Sequence, residues 1–227
     1  IKQMWDKDLV YQGYRVTPHC PRCGTSLSSH EVAMGYKDDT EDPSVYIKFK
    51  VSEKSPDNLP SDKPVYLLAW TTTPWTLPGN TALAVAPDAE YAIIEVDEQY
   101  LVLASARLEQ VGLGDAPVID KVTGSDLVEL RYELLFNPHD FGVERRRFQE
   151  NATLHLQTTE EKLAYKVIAG DFVSMEDGTG IVHIAPAYGE VDYQAGEDND
   201  LDFVHTVDLQ GNITGTYPFS GKFVKDA

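Results

Sequence analysis

A series of short apolar segments, separated by turn-forming residues, constrains the fold of this chain more than any other feature. In residues 45–51 apolar and polar side chains alternate, which is typical of a strand with one buried face. Further strands are predicted at 64–70, 81–85, 91–96, 100–104, 166–173, 180–184, 203–207 and 212–216. The chain is therefore predicted to adopt an α+β, mainly β fold, with a barrel-like core of short strands and a few peripheral helices.

Turns and helices are predicted between these apolar segments. Residues 97–99 and 208–211 are predicted to form the turns of two hairpins. Short helices are predicted within 1–14, 105–111 and 190–197. Ser105 is a candidate N-cap of the second helix, because its hydroxyl can accept a hydrogen bond from the first helical turn.

The first part of the chain differs from the rest. Pro18, Pro21 and Gly24 surround two cysteines there, and no strand pattern precedes residue 45. We therefore predict a connecting segment at residues 1–44, followed by a separate domain at residues 45–227.

The charge of the chain limits its partners. The chain has 37 acidic and 19 basic residues, which gives a net charge of −18. The averaged electrostatic field therefore repels nucleic acid, and any contact with RNA must be local. No apolar run approaches the roughly 20 residues that span a bilayer, and no signal segment opens the sequence. We expect a monomeric, cytoplasmic protein without a membrane partner.

The two cysteines, Cys20 and Cys23, have the spacing of a zinc knuckle or of a dithiol redox pair. Two cysteines do not complete a structural zinc site, although His19 and His30 lie nearby in the sequence. Half of a zinc site, an inert reduced pair and redox chemistry all remain open.

A threonine-rich turn between two predicted strands is the first candidate for chemistry. Residues 71–76 contain four threonines, followed by Gly79 and Asn80. Hydroxyls both donate and accept hydrogen bonds, so such a cluster can orient a water molecule or bind an ester or a ribose. Alternatively, the threonines favour the strands and bond to the turn backbone.

The segment 177–192 is the second candidate. His183 lies near the end of a predicted buried strand, and Asp192 follows where a helix is expected to begin. A carboxylate in a pocket wall can bind the α-ammonium group of an amino acid. Each residue also has a structural reading, His183 as a hydrogen-bonded core histidine and Asp192 as helix-terminus charge. The sequence lacks the motifs GxSxG, GxxxxGK[ST] and HExxH.

Three segments, in the same order, resemble the editing domains of isoleucyl-tRNA synthetases over nearly the whole chain. They are WTTTPWTLPGN at 70–80, DGTGIVHIAPAYGEVD at 177–192, and PHCPRCGTSLSSHEVAMGYKD at 18–38. The resemblance implies the barrel-like fold shared by the valyl, isoleucyl and leucyl editing domains. The nucleotide-binding signatures of the synthetic site are absent from the sequence, so the resemblance implies a domain that performs no aminoacylation.

The resemblance also implies roles for individual residues. The implied catalytic residues are Thr72, Thr73, Asn80 and Asp192. The implied substrate-binding residues are Trp70, Thr71, Trp75, Thr76, His183, Ala185, Tyr188 and Asp192. Among them His183 limits the size of the side chain that enters, and Asp192 holds the substrate ammonium group. Val191 replaces the family's usual acidic residue, which lowers the local charge by one, but activity is expected because Asp192 is retained.

The reaction implied is hydrolysis of wrongly formed valyl-tRNA(Ile), and also of valyl-adenylate, in a pocket that excludes isoleucine. Isoleucyl-tRNA synthetase is a well-known case in which one methylene is too small a difference for binding alone to reject valine. The implied partners are the 3′ acceptor end of tRNA(Ile) carrying valine and the rest of the parent synthetase. No cofactor is expected in the editing pocket. The alternatives are a tRNA-binding or structural insert with degenerate activity, and a module that binds free amino acid.

Overall fold

The computed structural model describes residues 1–7, 9–10, 15–33, 41–52, 59–148, 155–156 and 165–227. The strands are β1 (His19–Cys20), β2 (Thr25–Ser26), β3 (Val45–Lys50), β4 (Val65–Thr71), β5 (Ala82–Val85), β6 (Glu90–Val96), β7 (Gln99–Ala104), β8 (Val118–Thr123), β9 (Arg145–Arg147), β10 (His155–Leu156), β11 (Lys166–Ala169), β12 (Ile181–Ile184) and β13 (Asp202–Val204). The α-helices are α1 (Lys2–Trp5), α2 (Ser29–Ala33), α3 (Gly124–Leu127) and α4 (Glu190–Asp198). Short 3-10 helices lie at Pro74–Gly79, Ser105–Arg107 and Pro138–Phe141. The mainly β fold predicted from the sequence is confirmed.

Two sheets form the body of the fold. The larger has the strand order β3-β4-β7-β6-β8, and in the smaller β5 lies between β11 and β12. β5 runs parallel to β11 and antiparallel to β12, which places His183 beside Leu83. β12 also lies against β4 of the larger sheet. The two sheets therefore meet where β4 and β12 end, and this is where both candidate segments lie.

The inner faces of the two sheets enclose one continuous apolar core. Its members come from both sheets and include Phe49, Leu67, Leu83, Ile93, Val102, Val167 and Ile181, all of them fully or almost fully buried. Burying a side chain of this size contributes about 1.5–3 kcal/mol. Because β5 and β12 are both anchored in this core, the residues at their ends are held on a rigid support.

Several predicted elements differ in length from those in the structure. The helix predicted at 105–111 is a 3-10 turn, Ser105–Arg107, and its N-cap is Ala104, so the prediction that Ser105 caps it is wrong. The strand predicted at 166–173 ends at Ala169, because the chain then turns and the Val173 amide donates to the Gly170 carbonyl.

The hairpin predicted around 208–211 is reduced to an isolated bridge between Val207 and Ile213, because β13 pairs with β9 instead. At the amino terminus α1 covers Lys2–Trp5, and residues 8 and 11–14 of the predicted helix lie outside the described residues. Within the described residues, no helix is long and apolar enough to cross a membrane.

Candidate functional site

Two segments that are about a hundred residues apart in sequence meet beside the paired strands β5 and β12. The threonine-rich turn leaves β4 at Thr71, passes through the 3-10 turn Pro74–Gly79 and enters β5. β12 ends at Ile184, and the chain then loops back into α4. Antiparallel pairing of β5 with β12 brings the loop after β12 over the threonine-rich turn. The sheet register is therefore what assembles the site.

A cavity of about 210 Å³ lies between these segments, and we call it the amino-acid cavity. Most of the residues assigned to substrate binding line it, and Val182 joins them. The lining residues are Trp70, Thr71, Thr73, Thr76, Val182, His183, Ala185, Tyr188 and Asp192. Three assigned residues, Thr72, Trp75 and Asn80, lie outside this lining.

The threonine hydroxyls are held by short local hydrogen bonds. The Thr71 hydroxyl accepts a bond from the Thr73 backbone amide at 3.1 Å, and its oxygen lies 3.2 Å from the Thr73 hydroxyl oxygen. Thr76 donates its hydroxyl proton to the Thr73 carbonyl at 2.8 Å. Thr71 and Thr76 are buried, whereas Thr73 is exposed. The turn therefore presents the Thr73 hydroxyl at the cavity surface on a fixed support.

A directed chain of hydrogen bonds holds His183 and defines its tautomer. Tyr132 donates its hydroxyl to the Asn80 side-chain oxygen at 2.8 Å, and the Asn80 amide nitrogen donates to the Ala82 carbonyl at 2.9 Å. The same nitrogen lies 3.2 Å from His183 Nδ1, which must therefore accept. His183 Nε2 consequently carries the proton and donates to the Thr76 hydroxyl at 2.7 Å.

Burial keeps His183 uncharged. Its side chain is buried, and desolvation lowers the pKa of His183 from 6.5 to about 4. At neutral pH the ring is therefore a neutral imidazole, bound through both nitrogens. A side chain held in this way is a rigid wall rather than a mobile acid or base.

Among the described residues that line the amino-acid cavity, Asp192, in the first turn of α4, is the one carboxylate. One carboxylate oxygen accepts a hydrogen bond from the Ala185 amide at 2.8 Å, which ties the loop after β12 to the helix. The other oxygen lies so close to Gly189 that a Cβ there would come within 2.3 Å of it, so a larger residue at this position would displace the carboxylate. Burial raises the pKa of Asp192 from its ordinary value.

Asp192 has no cationic partner among the residues that the structure describes. Among the described residues, no lysine, arginine or histidine lies within ion-pair distance of this carboxylate. A half-desolvated carboxylate without a partner binds a cationic group more strongly than an exposed one. The amino-acid cavity can therefore accept an ammonium group beside a cluster of hydroxyls.

The three remaining assigned residues surround the amino-acid cavity at different depths. Thr72 is exposed, whereas Asn80 is buried behind His183 and contacts it directly. Trp75 packs edge-on against Tyr188, with ring centroids 5.1 Å apart, and lines a neighbouring groove of about 500 Å³. Gly79 also packs against the Tyr188 ring, and a Cβ at Gly79 would come within 2.8 Å of it.

Sequence reasoning did not find Tyr132, the residue at the buried end of the hydrogen-bond chain. It lies 52 positions from Asn80 and between the rings of Phe49 and Tyr165, with edge contacts at 5.2 and 5.9 Å. The local sequence around a buried tyrosine does not show whether the residue positions another side chain or only packs in the core. Only the tertiary contact reveals it.

Cys20 and Cys23 lie close together in the cysteine knuckle, and the half-site of zinc remains a prediction. Cys20 ends β1 and Cys23 lies in the turn to β2, and the Cys20 thiol has a lowered pKa because Cys23 donates hydrogen bonds to it. The His19 Nε2 atom donates a hydrogen bond to the Leu209 carbonyl at 2.8 Å. Within the described ranges, no group of three or more His, Cys, Asp or Glu side chains comes together. The two thiols fit one half of a zinc site, and the division of the chain at residue 44 stays a prediction.

We expect this 227-residue chain to retain much less than one equivalent of zinc after dialysis against a mild chelator. Two thiolates supply half of the four ligands that tetrahedral zinc requires, so binding is weak and reversible. Metal analysis after dialysis measures this, with a Cys20→Ser/Cys23→Ser variant as the blank. One equivalent of zinc that survives dialysis would contradict the half-site.

Comparison with known proteins agrees with this architecture. Over 235 residues the chain is 58% identical to an isoleucine–tRNA ligase of Dehalococcoides mccartyi (strain CBDB1), covering 100% of this chain and 23% of that protein. Over 228 residues it is 43% identical to the isoleucine–tRNA ligase of Clostridium novyi (strain NT), covering 100% of this chain and 19% of that protein. The chain thus spans about a fifth of the length of these curated relatives. No family model matches it.

The fold has a solved counterpart. The structure of GlLeuRS-CP1 matches with a TM-score of 0.50 and 20% identity, covering 67% of this chain and 58% of that one. The chain therefore has the fold of an aminoacyl-tRNA synthetase editing domain. Because these matches to curated relatives cover the whole of this chain, it belongs to the isoleucine–tRNA ligase family.

Proposed function

We propose that this domain hydrolyses the ester bond of valyl-tRNA(Ile), and also clears valyl-adenylate, in a cavity that isoleucine cannot enter. The observation that carries the proposal is the composition of the amino-acid cavity. An unpaired carboxylate, a hydroxyl cluster and a rigid neutral imidazole line one space of about 210 Å³. The parent synthetase and the 3′ end of tRNA(Ile) are the partners this reaction requires, and a cytoplasmic location remains the prediction for the parent enzyme.

The amino-acid end of the substrate is held by Asp192. Its carboxylate lies in the cavity lining without a paired cation, so an α-ammonium group would form a charge-assisted hydrogen bond there. The hydrogen bond from the Ala185 amide already fixes the orientation of the carboxylate. The substrate ammonium would therefore meet an acceptor that needs no rearrangement.

Isoleucine is excluded by volume. His183 is bonded at both ring nitrogens, to Thr76 and to Asn80, so it cannot rotate away without breaking a buried hydrogen bond. Breaking such a bond costs about 1–3 kcal/mol. A side chain one methylene larger than valine would have to displace this ring, and a steric barrier discriminates more steeply than lost attraction.

Hydrolysis proceeds with water as the co-reactant. The water oxygen attacks the ester carbonyl carbon, the bond from that carbon to the ribose oxygen breaks, and a proton passes to the ribose oxygen. We assign the orientation of the water to the Thr73 hydroxyl, which lines the cavity, and a contact with the ribose to Thr72, an exposed residue of the same turn. In this arrangement Asn80 acts behind His183 rather than on the substrate.

The decisive experiment follows the release of amino acid from preformed valyl-tRNA(Ile) and isoleucyl-tRNA(Ile), using the full-length synthetase that contains this domain. We expect hydrolysis of the valyl ester and stability of the isoleucyl ester. A binding or structural insert would leave both esters intact, and a free amino-acid module would bind valine without cleaving either ester. Either of these results would refute the proposal.

A further inference from the structure

A second polar cavity lies where the parallel strands β5 and β11 begin, and it shares no lining residue with the amino-acid cavity. Its volume is about 300 Å³, and we call it the β5–β11 cavity. Thr81 directly precedes β5, Tyr165 directly precedes β11, and both line this cavity. Among the described residues of the lining, all but Leu201 carry a polar side-chain group. The volume is at the lower end of the range of about 300–1,000 Å³ that is typical of small-molecule sites.

Two buried hydroxyls in this lining lack a hydrogen-bond partner. Thr81 is 2% exposed and Tyr165 is 3% exposed. Within the described residues, neither the Thr81 Oγ1 atom nor the Tyr165 hydroxyl oxygen has a partner. Because a buried hydroxyl without a hydrogen bond is costly, such groups are rare in folded proteins unless something outside the chain completes them. The two hydroxyls therefore indicate a polar ligand in the β5–β11 cavity.

Four of the charged side chains in the lining form two ion pairs. The Lys166 ammonium group lies 2.7 Å from a carboxylate oxygen of Glu129. The Arg147 Nε atom lies 3.0 Å from a carboxylate oxygen of Asp202. Each pair combines one cation with one carboxylate, so these four residues give the cavity wall no excess of either sign. The wall therefore does not select a ligand with a large net charge.

One further cation and one further carboxylate line the same cavity, Arg131 and Asp200. In the part of the chain that the structure describes, no carboxylate lies within ion-pair distance of the Arg131 guanidinium group, and no cationic group lies within that distance of the Asp200 carboxylate. The two residues therefore do not pair with each other. A ligand with one negative and one positive group can bind both, whereas a simple anion or cation leaves one of them unmatched.

We propose that the β5–β11 cavity binds a free amino acid with a polar side chain. Its carboxylate is bound by Arg131, and its ammonium group is bound by Asp200. The hydroxyls of Thr81 and Tyr165 bond to its polar side chain, which supplies the partners that they lack. The inference goes beyond the proposed function, because it concerns binding without bond cleavage in a separate cavity.

The test is equilibrium dialysis of the full-length synthetase against labelled L-threonine. The signal of the β5–β11 cavity is the part of the binding that the variant Asp200→Asn removes, since other sites in the synthetase do not contain this residue. Unlabelled L-threonine amide, which has no carboxylate, should compete for this part at least about tenfold more weakly than L-threonine. L-Valine, which has a methyl group in place of the hydroxyl, should compete about 2- to 10-fold more weakly.

Arg131→Gln and Asp200→Asn should each weaken the binding of L-threonine at least about tenfold, because each removes one charge-assisted contact. Both side chains are exposed, and Asp200 has a φ of 52°, a left-handed conformation that asparagine also adopts readily. The fold should therefore be unchanged. Arg22→Gln and Asp198→Asn are the matched controls, on exposed residues outside the β5–β11 cavity, and should bind L-threonine like the parent.

Thr81→Val and Tyr165→Phe test the two hydroxyls. Each should weaken the binding of L-threonine about 2- to 10-fold. The melting temperature without ligand should not fall, because neither variant removes a hydrogen bond that the described structure contains. A lower melting temperature without ligand would show that the hydroxyls bond within the protein, which would overturn their assignment to a ligand.

Two results would overturn the inference as a whole. In the first, Asp200→Asn and Asp198→Asn bind as much L-threonine as the parent. In the second, glycerol competes as well as L-threonine, which would show that the cavity takes a neutral polyol and makes no use of the two charges. Hydrolysis of valyl-tRNA(Ile) does not enter these measurements, so a failure of the proposed function would leave their outcome unaffected.

Discussion

Replacing Asp192 with alanine is expected to lower the hydrolysis of valyl-tRNA(Ile) by about 30- to 1000-fold, which corresponds to the loss of one charge-assisted contact of about 2–4 kcal/mol. The reason is the position of the carboxylate in the wall of the amino-acid cavity, partly desolvated and without a cation. Deacylation of preformed valyl-tRNA(Ile) by the full-length synthetase measures the effect. A parent-like rate would refute the role of Asp192.

The variant Asp192→Asn separates the effect of the negative charge of Asp192 from the effect of its hydrogen bond to the loop after β12. The asparagine side-chain oxygen can still accept the hydrogen bond from the Ala185 amide, so the loop after β12 should keep its position. We expect hydrolysis to fall in this variant nearly as far as in Asp192→Ala, with little change in melting temperature. Glu190→Gln, on an exposed carboxylate of the same helical turn, should leave hydrolysis unchanged. Full activity in Asp192→Asn would show that the carboxylate serves only the loop.

The sequence predicts those strands whose own residues alternate between apolar and polar or form an apolar run. β3 alternates and was found, whereas β8 was missed because five of its six residues, including Val118 and Ile119, are exposed. β8 is held by backbone pairing with β6, which leaves no apolar period to detect. β9 was missed for another reason, since three consecutive arginines show no apolar period. This strand forms by backbone pairing with β10 and β13, and Asp202 forms ion pairs with Arg145 and Arg147.

The candidate site was predictable in its parts but not in its assembly. The two segments could be found from their residue types, and the roles of Thr73, His183 and Asp192 came from resemblance. His183 lies between Asn80 and Thr76 because of the register of β5 against β12. These strands are distant in sequence, so no local sequence pattern predicts this register. For the same reason the sequence could not separate Asn80, which lies behind His183, from the residues that line the amino-acid cavity.

Replacing His183 with alanine is expected to open the amino-acid cavity to isoleucine. Removal of the imidazole frees the volume that the extra methylene needs, so hydrolysis of isoleucyl-tRNA(Ile) should rise by at least about tenfold. Hydrolysis of valyl-tRNA(Ile) should fall by less than about fivefold, because valine gains no new clash and loses little contact. The variant loses two buried hydrogen bonds and should be destabilised by about 1–3 kcal/mol, so both rates must be measured well below its melting temperature.

Tyr132→Phe is the matched variant for this experiment, because it disturbs the same chain of hydrogen bonds without removing the imidazole. It leaves the Asn80 side-chain oxygen without its donor, yet the His183 ring still occupies the amino-acid cavity wall. If exclusion depends on volume, isoleucyl-tRNA(Ile) stays resistant in Tyr132→Phe and becomes a substrate only in His183→Ala. Equal hydrolysis by both variants would point to the hydrogen bonds instead of the volume. Resistance in both would show that His183 is not the barrier, and Tyr188, the other large ring beside Trp70 in the same lining, would then be the side chain to replace.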